Sequence, residues 1–304
     1  MKWILALGPA GTNGHHAASV VATKSVRHRQ EALEIRFCPA HATIMQDVAN
    51  RQAPYGVVPI ENSTRGCIHD VIRFWLDLAG ASDRPFGVIG EVHIPLQHCL
   101  LVPSSIRHIR EITTVVSQSE ALNQCRTKLE QLGLTDLQPA LSTAAAAEQV
   151  ARQDPEDRIA AIASPWAANL YGLTVIADDL QDDRNTTRFH VLGCQPTEPS
   201  GDDKTAVLLW LLNQPAALHR VLGVIASAQV NISTLHSIPV GGNGDYAFYL
   251  EFDGHIDEPV TRSIVTILET TCDRVVVLGS FPKSSVAETA QFTEFHRPPM
   301  VVSR

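Results

Sequence analysis

Short apolar runs alternate with helix-forming segments from residue 3 to residue 193, and this alternation constrains the fold of the 304-residue chain most strongly. Many of the intervening segments place apolar residues on one helical face. Strands separated by helices favour parallel sheets that are covered on both faces. The pattern therefore predicts an α/β fold with strands at 3–7, 35–38, 55–60, 86–94, 98–102, 113–116, 159–163 and 174–176.

Polar side chains follow five of the predicted strands, at the edge where open α/β sheets bind their ligands. Two lobes with these edges facing each other would form one polar cleft. Some of the hydroxyl groups also fit a simpler role, because serine and threonine commonly cap the first turn of a helix. The residues are Thr12, then Glu61, Asn62 and Ser63, then Ser117, then Ser142 and Thr143, and finally Thr187 with Arg188.

The stretch Asn185-Thr186-Thr187-Arg188-Phe189 places a hydroxyl group, a cation and an aromatic ring on consecutive residues. Successive side chains of an extended strand point in opposite directions. We therefore expect a bend in the backbone here, or three side chains that contact different neighbours. The guanidinium of Arg188 matches the geometry of a carboxylate. A solvated arginine at a loop-to-strand junction is the structural alternative.

Composition limits the classes of partner. The formal net charge of -8 argues against nucleic acid, because phosphate binding needs a basic surface. The six cysteines contain no CxxC pair, which argues against a metal site and favours reduced thiols. The opening apolar run is broken by Gly8-Pro9 and is too short for a signal peptide, and no stretch has the length of a membrane span. We expect a cytoplasmic protein without a membrane partner.

The pattern changes after a Pro- and Gly-containing linker at 196–204. The order βαββαβ over residues 205–283 predicts a ferredoxin-like unit. Residues 284–304 are predicted to be a mobile polar tail. Residues 1–195 form the predicted catalytic domain, with lobe one at about 1–84 and 172–195 and lobe two at about 85–171.

Several motifs occur in the order that is typical of the prephenate dehydratases, which the chain resembles over nearly its whole length. They are residues 7–12 (LGPAGT), 57–63 (VVPIENS), 117–125 (SQSEALNQC), 142–145 (STAA), 170–173 (LYGL) and 185–189 (NTTRF). The resemblance implies two α/β lobes of the periplasmic-binding-protein type (type II) around a cleft, followed by a ferredoxin-like ACT domain, the amino-acid sensor of this family.

The resemblance also implies the conversion of prephenate to phenylpyruvate, with loss of carbon dioxide and water. Thr187 would donate to the departing C4 hydroxyl, Arg188 would anchor a carboxylate or brace the loop, and Phe189 would pack. No metal or organic cofactor is needed, because the leaving carboxylate supplies the electrons. The implied catalytic residues are Thr187, Arg188, Glu61, Asn62, Ser117 and Gln124, and the implied substrate-binding residues are Thr12, Ser63, Ser142, Thr143 and Phe189.

The sensor motifs depart from the family pattern. Glu-Ser-Arg-Pro appears as His236-Ser237-Ile238-Pro239, and Gly-Ala-Leu appears as Ala216-Ala217-Leu218. The loss of both charges predicts a weak or altered response to phenylalanine. ACT domains usually pair, so we expect a homodimer or homotetramer. The implied effector-binding residues are Ala217, Leu218, Asn231, His236, Ser237 and Pro239.

Other departures are Asn13-Gly14, where the family has an aromatic residue and serine, and Gln118-Ser119, where it has His-Pro. Two other functions remain open. One is a prephenate decarboxylase that forms no aromatic ring, although the threonine of the Thr-Arg-Phe motif is present. The other is an inactive ligand-binding sensor. The choice between prephenate and arogenate as the substrate is also open.

Overall fold

The computed structural model describes residues 2–27, 32–79, 86–183, 185–240 and 245–293. The strands are β1 (Lys2–Leu7), β2 (Leu33–Cys38), β3 (Tyr55–Asn62), β4 (Gly66–Cys67), β5 (Gly87–Leu96), β6 (Cys99–Val102), β7 (Thr114–Ser117), β8 (Leu137–Pro139), β9 (Ile159–Ala163), β10 (Thr174–Ala177), β11 (Asn185–Gly193), β12 (Asp203–Trp210), β13 (Ile232–Pro239), β14 (Tyr246–Asp253) and β15 (Arg274–Pro282). The helices are α1 (Asn13–Arg27), α2 (His41–Ala49), α3 (His69–Ala79), α4 (Ser119–Gln124), α5 (Arg126–Gln131), α6 (Thr143–Arg152), α7 (Pro165–Tyr171), α8 (Ala217–Ser227), α9 (Pro259–Thr271) and α10 (Val286–Thr293).

The first lobe is built on a sheet with the strand order β2-β1-β3-β11-β5, and β4 pairs with β3. Strands β1, β2 and β3 are parallel, whereas β11 runs antiparallel to both β3 and β5. Helix α1 packs on one face through Ala17, Ala18 and Val20. Helices α2 and α3 pack on the other face, where Ile44 and Trp75 join the core. The predicted α/β lobe is therefore present, with an antiparallel strand inserted at its centre.

The second lobe has the strand order β10-β6-β9-β7-β8, with α4 and α5 on one face and α6 and α7 on the other. The predicted lobe boundaries were wrong at both points where the chain passes from one lobe to the other. Strand β5 pairs with β11 in the first lobe, although residues from 85 onward were assigned to the second. Strand β10 pairs with β6 in the second lobe, although residues 172–195 were assigned to the first. Long-range backbone pairing decides the sheet to which a strand belongs, and an apolar run does not encode that pairing.

The C-terminal unit has the predicted order βαββαβ, from β12 to β15, in an antiparallel sheet with the order β13-β14-β12-β15. Helices α8 and α9 cover one face. The other face packs against the first lobe, where Leu208, Tyr249 and Phe281 share one core with Val88 and Leu192. The unit and the first lobe therefore have a continuous apolar interface.

Two predicted boundaries of this unit need correction. Strand β12 begins at Asp203, inside the predicted 196–204 linker. The buried carboxylate of Asp203 accepts hydrogen bonds from the backbone N–H groups of Ser200 and Gly201. Residues 286–293 of the predicted tail form helix α10, in which Glu288 pairs with Lys24 of α1 at 2.7 Å. Residues 294–304 lie outside the described ranges.

Two glycines allow β5 and β15 to approach each other closely. A Cβ atom at Gly279 would lie 2.1 Å from the carbonyl oxygen of Val88, and one at Gly87 would lie 2.1 Å from that of Leu278. Gly279 also has φ +151°, which L side chains rarely adopt. The contact between the C-terminal unit and the first lobe therefore depends on the absence of side chains at these positions.

We expect Gly279→Ala to lower the free energy of unfolding by about 1–3 kcal/mol, because the methyl group must push the two backbones apart. Gly223→Ala is the matched control, since a Cβ atom at this position of helix α8 meets nothing within 4 Å. That change should stabilise the protein by about 0.5–1 kcal/mol. Chemical denaturation of both variants measures the difference. Equal effects on stability would contradict the close approach of β5 and β15.

Candidate active site

A cavity of about 230 Å³ lies between the two lobes. It is lined from the first lobe and its crossovers by Asn13, Asn62, Arg65, Ile68, Leu96, Gln97, Asn185 and Thr187, and from the second lobe by His98, Gln118, Glu120, Ala121, Gln124, Thr143 and Ser164. The lining is polar at many points, and among its described residues Arg65 and Glu120 are the two side chains that carry a full charge. Among the predicted site residues, the structure therefore brings together Asn62, Gln124, Thr143 and Thr187.

Thr187 and Asn62 face each other across the paired strands β11 and β3. The Asn62 Nδ2 atom donates to Thr187 Oγ1 at 3.0 Å, while Asn62 Oδ1 accepts from the backbone N–H groups of Thr64 and Arg65. These bonds fix the orientation of the amide. Because Thr187 Oγ1 accepts from Asn62, its own hydroxyl proton remains available for a ligand in the cavity. Thr187 is only 8% exposed, so that donor lies in a largely water-excluded place.

Arg188 and Glu61 lie on the opposite face of the sheet, so their predicted place in the cleft was wrong. The alternation of side chains along β11 and β3 sends both away from the cavity. Arg188 instead contacts three carboxylates, with Nη1 at 2.8 Å from Glu251 and 3.1 Å from Glu91, and Nη2 at 3.0 Å from Glu61. It also donates to Thr234 Oγ1 at 3.2 Å. Arg188 thus joins the first lobe to the C-terminal unit and contributes no cation to the cavity.

Two of the carboxylates that contact Arg188, those of Glu91 and Glu251, are charged although they are buried. Burial by itself disfavours the carboxylate, but polar neighbours, with His93 and Lys204 foremost, lower the pKa of Glu91 to about 2. Burial also opposes the charge of Glu251, whereas the hydrogen bond from His190 and the charge of Arg188 hold its pKa well below the ordinary value. The result is a buried ion cluster at the domain interface.

Phe189 contacts neither the cavity nor this ion cluster. It lies in the apolar core with Ile4 and Ala17, which agrees with the expected packing role and not with the implied substrate-binding role. The register of β11 against β3 shifts between Arg188 and Phe189. The three consecutive side chains of the Thr-Arg-Phe motif therefore serve three different neighbours, which is one of the two outcomes expected from the sequence.

The remaining hydroxyl residues of the predicted site support the backbone. Ser117 is fully buried and donates to the carbonyl oxygen of Ile162 at 2.6 Å, which ties β7 to β9. Ser142 caps α6 by accepting from Ala145 N. None of Ser117, Ser142, Ser63 and Thr12 is among the residues that line the cavity.

Ser63 and Thr12 each satisfy nearby groups of the first lobe. The Ser63 hydroxyl accepts from Thr186 N at 2.9 Å and donates to Asn185 Oδ1 at 3.2 Å. The Thr12 hydroxyl donates to the Leu7 carbonyl at 3.0 Å and accepts from His15 N. These bonds hold Asn185 and the start of α1, both of which border the cavity. Ser63 and Thr12 therefore shape the cavity through the neighbours that they position.

Gln124 is held in place by His98. The ring Nε2 of His98 lies 2.9 Å from Gln124 Oε1, and burial lowers the pKa of His98. Because an amide oxygen only accepts, the neutral ring carries its proton on Nε2 in this pair. The amide nitrogen of Gln124 therefore remains as a donor for the cavity.

Eight polar residues of the lining were not among the predicted site residues. The sequence had drawn attention to three of them, because Asn13 and Gln118 stand where the chain departs from the family pattern and Asn185 opens the Thr-Arg-Phe stretch. Ser164 also had a signal, since it precedes a helix-starting proline. For the others, only the direction of the side chain brings them into the cavity. The eight are Asn13, Arg65, Gln97, His98, Gln118, Glu120, Ser164 and Asn185.

Contacts between the lobes enclose the cavity. The Tyr171 hydroxyl donates to the Ala10 carbonyl at 3.0 Å, and the rings of His16 and Trp166 stack with centroids 5.3 Å apart. Arg65 and Glu120 form an ion pair between the lobes. These contacts join the two lobes beside the cavity, which remains partly open to solvent.

The predicted effector residues do not form one site within a single chain. Ala217 and Leu218 line a recess of about 150 Å³ with Leu211 and Tyr246. Four of the predicted residues, Asn231, His236, Ser237 and Pro239, do not line this recess. His236 stacks instead with Tyr249 at the interface between the domains. The side chains of β13 alternate between the two faces of the sheet, which explains the separation of His236 from its neighbours.

Within the described ranges, every helix is too short or too polar to span a lipid bilayer. The same residues hold no group of three or more His, Cys, Asp or Glu side chains placed for a metal ion.

The fold and the cavity define a two-lobed α/β protein with a C-terminal βαββαβ unit. The chain belongs to the prephenate dehydratase family, whose model matches residues 4–197. It is 31% identical over 280 residues to the bifunctional chorismate mutase/prephenate dehydratase of Stutzerimonas stutzeri, covering 91% of this chain and 72% of that protein.

Two solved structures share the fold over almost the whole chain. The prephenate dehydratase of Arthrobacter aurescens in complex with L-Phe has a TM-score of 0.76 and 26% identity, covering 97% of each chain. A protein described as GqqA, a novel type of quorum quenching acylase, has a TM-score of 0.76 and 27% identity, covering 94% of this chain and 100% of that one.

We expect Arg188→Gln to lower the free energy of unfolding by about 3–5 kcal/mol, because it leaves the buried Glu251 without its main cation and removes one of the cations beside Glu91. Arg262→Gln, which breaks an exposed pair with Asp257, is the control and should change stability little. Thermal and denaturant unfolding measure both effects. If Arg188→Gln left the stability unchanged but weakened substrate binding, that result would indicate that Arg188 contacts the substrate.

Proposed function

We propose that this protein is a prephenate dehydratase, which converts a prephenate-type cyclohexadienyl acid to its aromatic product with loss of carbon dioxide and water. The hydroxyl group of Thr187, oriented by Asn62 and lining the cavity between the lobes, is the observation that carries the proposal. Membership of the family supports the same reaction.

In this reaction the bond between C1 and the ring carboxylate breaks, and carbon dioxide leaves. The released electron pair enters the ring, shifts the double bonds and expels the C4 oxygen, so the ring becomes aromatic. The reaction consumes one proton, which the acid form of the solvent or buffer supplies, so the C4 oxygen leaves as water. No oxidant or reductant is needed for this balance.

Thr187 assists the step at which the C4 oxygen leaves. An alcohol is too weak an acid to transfer its proton fully near neutral pH, but its hydrogen bond strengthens as negative charge grows on the leaving oxygen. A donor that is already oriented in a water-poor site stabilises that charge without reorganisation. Asn62 provides the orientation, and Gln124 offers a second neutral donor from the other lobe.

The lining also suits the loss of the ring carboxylate. Ile68, Leu96 and Ala121 provide apolar surface beside the polar groups. A carboxylate is poorly solvated next to apolar side chains, whereas carbon dioxide is neutral. The cavity therefore favours decarboxylation wherever the ring carboxylate contacts these residues.

We expect Thr187→Ala to lower kcat by about 10²–10³-fold, because one hydrogen-bond donor to the leaving oxygen is lost. Thr187→Ser keeps the hydroxyl group and should retain most of the activity. Steady-state formation of the aromatic product is the measurement, and circular dichroism checks the fold of each variant. Normal turnover by Thr187→Ala would remove Thr187 from the mechanism, and a non-aromatic product from the wild-type protein would contradict the dehydratase assignment.

The C-terminal βαββαβ unit is proposed to be an ACT regulatory domain with the recess at Ala217 and Leu218 as its effector pocket. The position that holds arginine in the family motif is Ile238, which is 2% exposed and belongs to the core shared with the first lobe. It offers no charge to an amino-acid effector. Exposed apolar residues on both edge strands, Leu235 and Val277, support pairing of copies as a homodimer or homotetramer.

We expect phenylalanine to change kcat/KM by less than the roughly fivefold lower limit typical of allosteric effectors, since the charged groups of the sensor motif are absent. Titration calorimetry and inhibition assays on the full chain test this expectation. Leu218→Asp, which places a charge in the recess, should leave the uninhibited rate unchanged. Strong inhibition by phenylalanine that this variant abolishes would show a functional sensor.

A further inference from the structure

The charged residues of the cavity are the starting point. Arg188 is engaged by three carboxylates on the far side of the sheet, so it provides no cation for a substrate. Of the lining residues in the described part of the chain, Arg65 and Glu120 are the two that carry a full charge. They are therefore the described groups that could pair with a charged side chain of a substrate.

Arg65 and Glu120 come from different lobes. Arg65 lies in the turn between β3 and β4, and Glu120 lies in the first turn of α4. They form an ion pair, yet their side chains remain 58% and 35% exposed. An arginine has five N–H donors, so the pair leaves donors on Arg65 and acceptor sites on Glu120 for a ligand.

We propose that Arg65 and Glu120 recognise an α-amino acid side chain on the substrate, which makes arogenate a better substrate than prephenate. This inference rests on the dehydratase function proposed above. Arg65 would take the side-chain carboxylate, and Glu120 would take the ammonium group. Thr187, which lines the same cavity, would receive the C4 hydroxyl.

The hydrogen-bonding capacity of the two substrates explains the preference. Prephenate carries a keto oxygen beside its side-chain carboxylate, and a keto oxygen only accepts hydrogen bonds. Glu120 as a carboxylate also only accepts, so the two groups face each other without a proton between them. The ammonium group of arogenate supplies three donors and the opposite charge.

Charge balance leads to the same assignment. Arg65 and Glu120 together contribute no net charge to the cavity. Prephenate brings two carboxylates, whereas arogenate brings two carboxylates and one ammonium group. The side chain of arogenate is therefore a neutral zwitterion that matches a neutral ion pair, and only the ring carboxylate, which leaves as carbon dioxide, is unpaired.

The test compares kcat/KM for arogenate and prephenate with the full-length protein. We expect the wild-type protein to prefer arogenate by about 10- to 100-fold, the range given by one charged hydrogen bond. Glu120→Gln should remove most of that preference, chiefly by raising KM for arogenate. Glu120→Asp keeps the charge and should keep the direction of the preference. Arg65→Gln should lower kcat/KM for both substrates to a similar extent, because both carry the side-chain carboxylate.

Glu34→Gln is the matched control, because Glu34 also pairs with an arginine, Arg36, but lies on strand β2 outside the cavity. It should leave the ratio of the two kcat/KM values unchanged. If the wild-type protein preferred prephenate, that measurement alone would overturn the inference. An equal fall with both substrates in Glu120→Gln would also overturn it and indicate that the pair only closes the cleft.

These outcomes separate the inference from the function on which it rests. Suppose that prephenate yields the aromatic product and that Glu120→Gln does not change the ratio of the kcat/KM values for the two substrates. This result would refute the role of Glu120 and still support the dehydratase function. Failure to form an aromatic product from either substrate refutes the dehydratase function and the inference together.

Discussion

The buried contact between Arg188 and the carboxylates of Glu91 and Glu251 is the interaction on which the arrangement of the domains depends. It lies between strand β11 of the first lobe and the sheet of the C-terminal unit. Removing charges from water is costly, and the cost is offset only where all partners are present. The cluster therefore requires the two domains to be in register. Thr187 precedes Arg188 on the same strand, so the position of the cavity donor is tied to that register.

The cavity itself is assembled from neutral donors rather than from strong acids and bases. Thr187, Asn62 and Gln124 can orient a ring and stabilise a developing charge, but they cannot move a proton over a large difference in pKa. This suits a reaction in which the substrate supplies its own electrons and the enzyme stabilises the leaving oxygen. The ion pair of Arg65 and Glu120 adds two charged groups to these neutral donors.

The C-terminal unit and the first lobe share a continuous apolar interface. Tyr249 and Phe281 belong to the same apolar core as Leu192 of the first lobe. Gly279 brings β15 against the backbone of β5. A displacement of the C-terminal sheet would therefore be transmitted directly to β5 and β11. This geometry provides a physical route between the C-terminal unit and the cavity, whatever ligand the unit binds.

The sequence by itself determined the α/β class, the βαββαβ unit and the importance of the Thr-Arg-Phe stretch, because periodicity and strand-end polarity are local properties. Only the tertiary structure decided which side chains share the cavity. The alternation along β11 was visible in the sequence, but the face occupied by each neighbour was not, so Arg188 and Glu61 were misplaced. Long-range pairing decided that β5 lies in the first lobe, and the closure of the two lobes brought Arg65 to Glu120. Those contacts join residues far apart in the chain, which local pattern does not encode.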